Sequence, residues 1–210
     1  MNNNNLKNKI FVTTGVILIT MGLTLLLSNY VKEKRDLVFS DINLEILEEF
    51  NKEEKKEEPK EEPEVEVVEE EPEEGYEYYI ATLEIPKAEI SRGFYNKNSK
   101  LNEVNSNILI LNESDYPDKK NGNVILAAHS GNYSNSYFTN LNRLTNGDLA
   151  YITYKNKKYT YKITNIYDVE KTGTVSIYRN KYKSTLTLIT CNLNDNTKQT
   201  IYIAELIGKE

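Results

Sequence analysis

The chain has 210 residues and a formal net charge of −6, but the charge is uneven: residues 51–74 hold thirteen Glu and four Lys, a net of −9, whereas residues 75–210 hold 17 basic and 13 acidic residues, a net of +4. The acidity therefore belongs to one segment, and the weak positive balance of the remainder argues against nucleic-acid binding. One cysteine, Cys191, excludes an intrachain disulfide, and that cysteine with the one histidine, His129, cannot build a Cys/His zinc site.

Residues 10–31 contain no charged side chain. As a helix rising about 1.5 Å per residue they reach about 30 Å, the thickness of a bilayer core. The run ends in Ser28-Asn29-Tyr30, without the small-residue pattern of a signal-peptide cleavage site. This predicts an uncleaved single-pass anchor over 10–31, with residues 1–9 cytoplasmic and the C-terminal part outside the cell. Basic residues flank both ends (Lys7 and Lys9; Lys32, Lys34 and Arg35), so charge alone does not orient it. Residues 32–75 read as a juxtamembrane segment and a Glu-rich spacer that has little to bury and is extended by self-repulsion.

From residue 76 onward the pattern is that of strands, and 76–210 is long enough for one domain with its own core. Residues 78–85 (YYIATLEI) are rich in β-formers and stop at Pro86; residues 124–128 form a short apolar run of the fully buried kind. Residues 149–154 and 159–166 flank Lys155-Asn156-Lys157-Lys158, a hairpin turn. Residues 185–190 (TLTLIT) alternate, and 200–206 (TIYIAEL) close the domain. Tyr137, Phe138, Leu141 and Leu144 have helical spacing, with Gly147-Asp148 marking the helix end. Short strands with minor helical decoration predict an all-β barrel or sandwich.

Two residues stand where chemistry is well placed. Cys191 follows the strand TLTLIT where the chain turns polar, and His129 follows the buried run VILAA in the same way. A strand end holds a side chain rigidly while exposing it at the rim. A thiol beside an imidazole can carry out acyl transfer: the thiolate attacks a carbonyl, and the imidazolium protonates the leaving amine. The bland alternative is a small buried hydrophobe for Cys191 and an ordinary polar side chain for His129.

Thr187-Leu188-Ile189-Thr190-Cys191 resembles the T-L-x-T-C signature of sortases. Ala127-Ala128-His129-Ser130, followed by Tyr137-Phe138 and Gly147-Asp148, resembles the histidine motif of that family, and Ile85-Pro86-Lys87 its opening. The resemblance covers essentially all of 76–210. It implies a closed β-barrel of about eight strands with one or two short helices, preceded by a single transmembrane helix. It also implies a cysteine transpeptidase without metal or cofactor. Such an enzyme cleaves a C-terminal sorting motif of an exported protein and joins the thioacyl product to an amine of a cell-wall precursor or a pilin. Thr190 and Ser130, beside the pair, become candidates for substrate binding.

The chain departs from the family at one point. Sortases carry an arginine on the last strand, thought to stabilise the oxyanion, whereas the four arginines here are Arg35, Arg92, Arg143 and Arg179, all before Cys191. Laying TIYIAEL on the last strand puts Gln199 at that position, with Lys198 pointing the other way. Gln199 can donate a neutral hydrogen bond but not a bidentate charged pair. Two rival readings follow: a weak or inactive sortase-fold domain that binds peptides or assists another enzyme, and a hydrolytic cysteine protease of another family. The loop 173–184, with Arg179, Lys181 and Lys183, is either an exposed basic loop or a wall of the substrate groove. Glu113, Asp115 and Asp118 form an acidic cluster without a calcium-ligand spacing.

Overall fold

β-branched and aromatic side chains need a pleated, half-buried surface, and in the computed structural model they receive one in eight strands. The structure describes residues 11–28, 30, 31, 34, 44, 47, 78–173, 175, 177 and 179–210. The strands are β1 (Ala81–Ile85), β2 (Ile90–Phe94), β3 (Leu109–Ile110), β4 (Asn123–Ala127), β5 (Leu149–Tyr154), β6 (Lys157–Glu170), β7 (Thr185–Cys191) and β8 (Lys198–Lys209). Two 3-10 helices accompany them, Pro86–Ala88 and Thr139–Arg143.

The chain divides into two units, Met1–Asp41 and Ile42–Glu210. The first holds helix α1, Phe11–Ser28, which is long and apolar enough to cross a membrane by length and composition. Its large apolar side chains are exposed. Thr20, Thr24 and Ser28 donate their hydroxyls to the carbonyls of Ile17, Thr20 and Leu25, so these three hydroxyls are satisfied within the helix. The spacer expected over 32–75 lies outside the described residues, apart from Lys34, Leu44 and Leu47.

In the second unit the eight strands form one sheet in the order β2-β1-β5-β6-β8-β7-β4-β3. Every pairing is antiparallel except β4 with β7. The sheet curls around a core that includes Leu83, Ile85, Phe94, Ile110, Leu126, Phe138, Ile152, Tyr161 and Leu188, all essentially inaccessible. The barrel is nearly closed. At the seam between the edge strands, Asn107 accepts from Arg92 Nε at 2.6 Å and donates to the Gly93 carbonyl at 3.0 Å. A buried side chain thus does the work of the missing ladder.

β7 is buried along its whole length before Cys191, not on one face only as its alternation suggests. β4 and β8 flank it, so its even-numbered residues face the barrel core. Its outward Ile189 joins Ile125 and Ile201 in a second apolar cluster. The expected 155–158 turn is a two-residue turn, with Tyr154 paired to Lys157 and both Lys155 and Asn156 at positive φ (46° and 59°). That is the turn geometry whose twist matches a hairpin.

The helix expected around 137–144 is only the five-residue 3-10 helix Thr139–Arg143, and the chain is already extended at Leu144. The apolar spacing does mark the buried face, since Phe138, Leu141 and Leu144 are all buried. Local competition shortens the helix: Thr139 Oγ1 donates toward the carbonyls of Gly131 and Ser136. β2 and β3 were not expected. β2 contains Arg92 and Gly93, and β3 is two residues long.

Candidate active site

The register of the parallel pair builds the site. β4 and β7 pair from Asn123↔Thr185 to Ala127↔Ile189, a constant offset of 62. The ladder runs on past β4, because the Ala128 N–H donates to the Ile189 carbonyl at 3.2 Å. The same offset sets His129 beside Cys191. Two hydroxyls clip these strand ends together: Thr190 Oγ1 donates to the Ala128 carbonyl at 2.9 Å, and Ser130 Oγ to the Cys191 carbonyl at 2.5 Å. Thr190 is buried, so its hydroxyl works inside the protein.

On the other side of β7, Cys191 faces Gln199 of β8, and Gln199 faces Val169 of β6. Side chains alternate along a strand, so Val169, Gln199 and Cys191 form a row on the outer face of the sheet. Behind that row the same face is apolar, with Ile125, Ala127, Ile189, Ile201, Ile203 and Tyr167 in one cluster. Lys171, two residues after Val169, belongs to this face as well. Its Nζ lies 3.5 Å from the half-buried Cys191 sulfur and donates to it. The Lys171 N–H donates to the Thr197 carbonyl at 2.7 Å, which fixes the root of the side chain.

The turn after Cys191 is held by one amide. Asn192 Oδ1 accepts the N–H groups of Asn194 and Asp195, while its Nδ2 donates to Asp168 and toward Thr200 Oγ1. Lys198, next to Gln199, is engaged by Asp195 at 3.3 Å. Hydrogen bonds from Thr197 and then Lys198 hold the Asp195 carboxyl below the usual carboxylate range.

His129 Nε2 lies 3.0 Å from Asn105 Oδ1, in the segment between β2 and β3. A carbonyl oxygen can only accept, so Nε2 carries the proton in this contact and Nδ1 is left as the basic nitrogen. The His129 carbonyl accepts from the Phe138 N–H at 2.9 Å, and Asn135 Nδ2 donates to the Asn105 carbonyl at 3.0 Å. In this state the thiol is bonded to Lys171 and the imidazole to Asn105. Catalytic hydrogen bonds commonly tighten only when substrate is bound.

A groove of about 750 Å³ opens on the outer face, lined among others by Tyr167, Val169, Val175, Thr187 and Ile203. Glu170 and Thr172, on either side of Lys171, also line it. Val175 and Ile177 of the β6–β7 loop pack on the apolar cluster. The charged end of this loop is tied down rather than free: Arg179 donates to the Asp115 carboxylate and to the Glu113 carbonyl, and Lys183 pairs with Glu205 at 2.5 Å. Burial by itself pushes the Asp115 carboxyl up. Hydrogen bonds from Lys119, the Asn123 N–H and Arg179, with the Arg179 charge, overcome that and bring it down to about 2. Asp118 pairs with Lys155 at 3.4 Å. Among the described residues no cluster of three or more His, Cys, Asp or Glu could hold a metal.

The structure thus gathers Cys191, His129 and Gln199 at one end of adjacent strands, with Thr190 and Ser130 as their clasp. Sequence reasoning missed Asn105 and Lys171. Both come from segments distant in the chain, and neither carries a local motif. A thiol, an imidazole, an ammonium and an amide donor at the end of an apolar cluster are the groups that acyl transfer through sulfur requires.

A family model described as a sortase domain matches residues 83–207. Among solved structures the chain is similar to a lid mutant of sortase A from Corynebacterium diphtheriae, at 22% identity and a TM-score of 0.58, covering 65% of this chain and 74% of that one. It is similar to a sortase D5 transpeptidase from Clostridium perfringens, at 27% identity and a TM-score of 0.53, covering 62% of this chain and 80% of that one. It also resembles sortase C-1 from Actinomyces oris, at 23% identity and a TM-score of 0.55, with 62% and 74% covered. No curated protein matches the chain.

Proposed function

The chain belongs to the sortase family, and from that premise we propose that it is a membrane-anchored cysteine transpeptidase acting through Cys191 and His129. The observation that carries this reading is the 62-residue offset of the parallel β4–β7 pair, which brings the two residues to the same strand end. In the first half-reaction the Cys191 thiolate attacks the scissile carbonyl of a sorting motif. The S–C bond forms and the carbonyl π pair moves to oxygen. Collapse of that oxyanion breaks the C–N bond, and the leaving amine takes a proton from the His129 imidazolium. In the second half an acceptor amine attacks the thioester. It gives its extra proton to the His129 imidazole and releases the thiolate. A thioester retains the energy of the broken amide, so no nucleotide is consumed.

Gln199, opposite Cys191 in the ladder, takes the oxyanion-donor role that sortases give to an arginine. Ser130 and Thr190 support the pair by keeping β4 and β7 in register, the buried Thr190 from the core side of the wall and so without touching the peptide itself. The substrates are exported proteins bearing a C-terminal sorting motif, and the acceptor is an amine of a cell-wall precursor or a pilin. In this reading residues 10–31 anchor the enzyme, 1–9 lie in the cytoplasm, 32–75 act as a spacer, and 76–210 form the catalytic domain outside the membrane. The exposed apolar surface of α1 supports the anchor.

A second reading, a sortase-fold domain that binds exported peptides without turning them over, is favoured by one observation: the imidazole is bonded to Asn105 and the thiol to Lys171, not to each other. Transfer separates the readings. The full-length chain in detergent, incubated with a panel of sorting-motif peptides and a labelled amine, yields amine-ligated peptide if it is a transpeptidase. Hydrolysis alone indicates a protease, and bound but intact peptide supports the second reading.

A further inference from the structure

We infer that Lys171 is the cation of the Cys191 centre: it holds negative charge on the reactive sulfur and on the oxyanion formed next to it. The inference deepens the transpeptidase reading and rests on it for the catalytic step, but the charge on the sulfur can be tested separately.

Three observations carry it. The first is contact, with Lys171 Nζ 3.5 Å from Cys191 Sγ. The second is placement. In the order β6-β8-β7, the end of β6 lies one strand beyond Gln199 from Cys191, on the outer face that carries the reacting row. The Lys171 backbone is pinned to Thr197, in the turn that follows Cys191. The third is the commitment of three other cations of this region. Lys198 is paired with Asp195, Lys183 with Glu205, and Arg179 with Asp115. Among the described residues the side-chain partner of Lys171 is the sulfur.

The chemistry needs a positive charge there. Attack places a full negative charge on the carbonyl oxygen within a bond's reach of the sulfur, and the collapse of each intermediate returns charge to sulfur or nitrogen. A fixed ammonium follows both positions without giving up its proton, whereas the neutral Gln199 amide offers only one dipole. The lysine follows the end of β6 rather than standing on β8, so the site has its charge despite having no arginine after Cys191.

The test uses two alkylating reagents of the same shape, anionic iodoacetate and neutral iodoacetamide, on the full-length chain in detergent. Their rate ratio at Cys191 cancels the thiolate fraction and reads local positive charge. Lys171→Met is expected to lower the iodoacetate-to-iodoacetamide ratio about fivefold, as one charge about 4 Å away in a water-like medium dictates, and Lys171→Arg to retain it. With a peptide substrate, Lys171→Met is expected to lower kcat by about 10²-fold with KM little changed. An unchanged ratio in a folded Lys171→Met chain overturns the inference even if ligation proceeds, leaving the transpeptidase reading intact. A ratio that depends on Lys171 in a wild-type chain that ligates no peptide supports the cation and rejects the transpeptidase reading.

Discussion

His129, two residues past the end of β4, and Cys191, the last residue of β7, stand 62 positions apart, which is the register offset of those parallel strands. In the proposed mechanism the pair depends on how β4 and β7 bond, so anything that slips this ladder would separate base from nucleophile. Thr190 and Ser130 guard against that slip. Thr190→Val removes a buried hydroxyl and leaves the Ala128 carbonyl without this donor, at a cost of about 1–3 kcal/mol. The expected result is a lower denaturation midpoint together with weaker activity. Unchanged stability would show that the clasp is dispensable.

Asn105 sets the imidazole. Asn105→Ala removes the acceptor for His129 Nε2–H and frees the ring. One neutral hydrogen bond contributes about 0.5–1.5 kcal/mol, so kcat/KM is expected to fall by up to about tenfold. Steady-state kinetics on the variant would check this; no change would mean that the ring is oriented by substrate alone.

Gln199 and Lys171 stand on the same face but are assigned different work. Gln199→Ala is expected to lower kcat by about 10²-fold, the scale of one lost oxyanion donor. It should leave the iodoacetate-to-iodoacetamide ratio at Cys191 unchanged, because a neutral amide is removed. Full turnover in this variant would withdraw Gln199 from the site.

The β6–β7 loop gives a pH prediction with a definite sign. The Asp115 carboxyl is brought from its ordinary value of 3.8 to about 2 in the folded chain, so it titrates lower folded than unfolded. Its contribution is fully present above about pH 4 and is lost as the pH falls toward 2. The carboxyl is 11% exposed but Arg179 is 43% and Lys119 64% exposed, so solvent screening holds the contribution to about 1–2 kcal/mol. Thermal unfolding of wild type and Asp115→Asn from pH 7 down to pH 2 should show a gap that closes in this window. A gap independent of pH would mean that the ion pairs contribute nothing.

Legibility followed the range of each physical signal. β5 was readable residue for residue, and the strands carrying His129 and Cys191 were readable because apolar runs bounded by polar turns need no partner to be recognised. β2 was hidden because Gly93 interrupts its pattern. That glycine is required by packing, since a Cβ there would sit 2.0 Å from Tyr79 Cδ2. The face of β7 was only half legible: alternation implies one buried face, yet β4, β8 and the loop residues Val175 and Ile177 give it two. Gln199 could be singled out by laying TIYIAEL on the family's last strand, and the ladder pairs it with Cys191. Lys171 could not, because its proximity depends on β8 lying between β6 and β7, and no local pattern encodes that order.

The central claim is that Cys191 is an acyl-transfer nucleophile assisted by His129. Intact-mass analysis of the full-length chain after incubation with sorting-motif peptides, without amine, tests it most directly. The account predicts an acyl adduct that maps to Cys191, is absent from Cys191→Ala, forms at least about 10²-fold more slowly in His129→Ala, and disappears when amine is added. A chain that binds such peptides yet never acquires the adduct, or acquires it equally fast without His129, would contradict the claim.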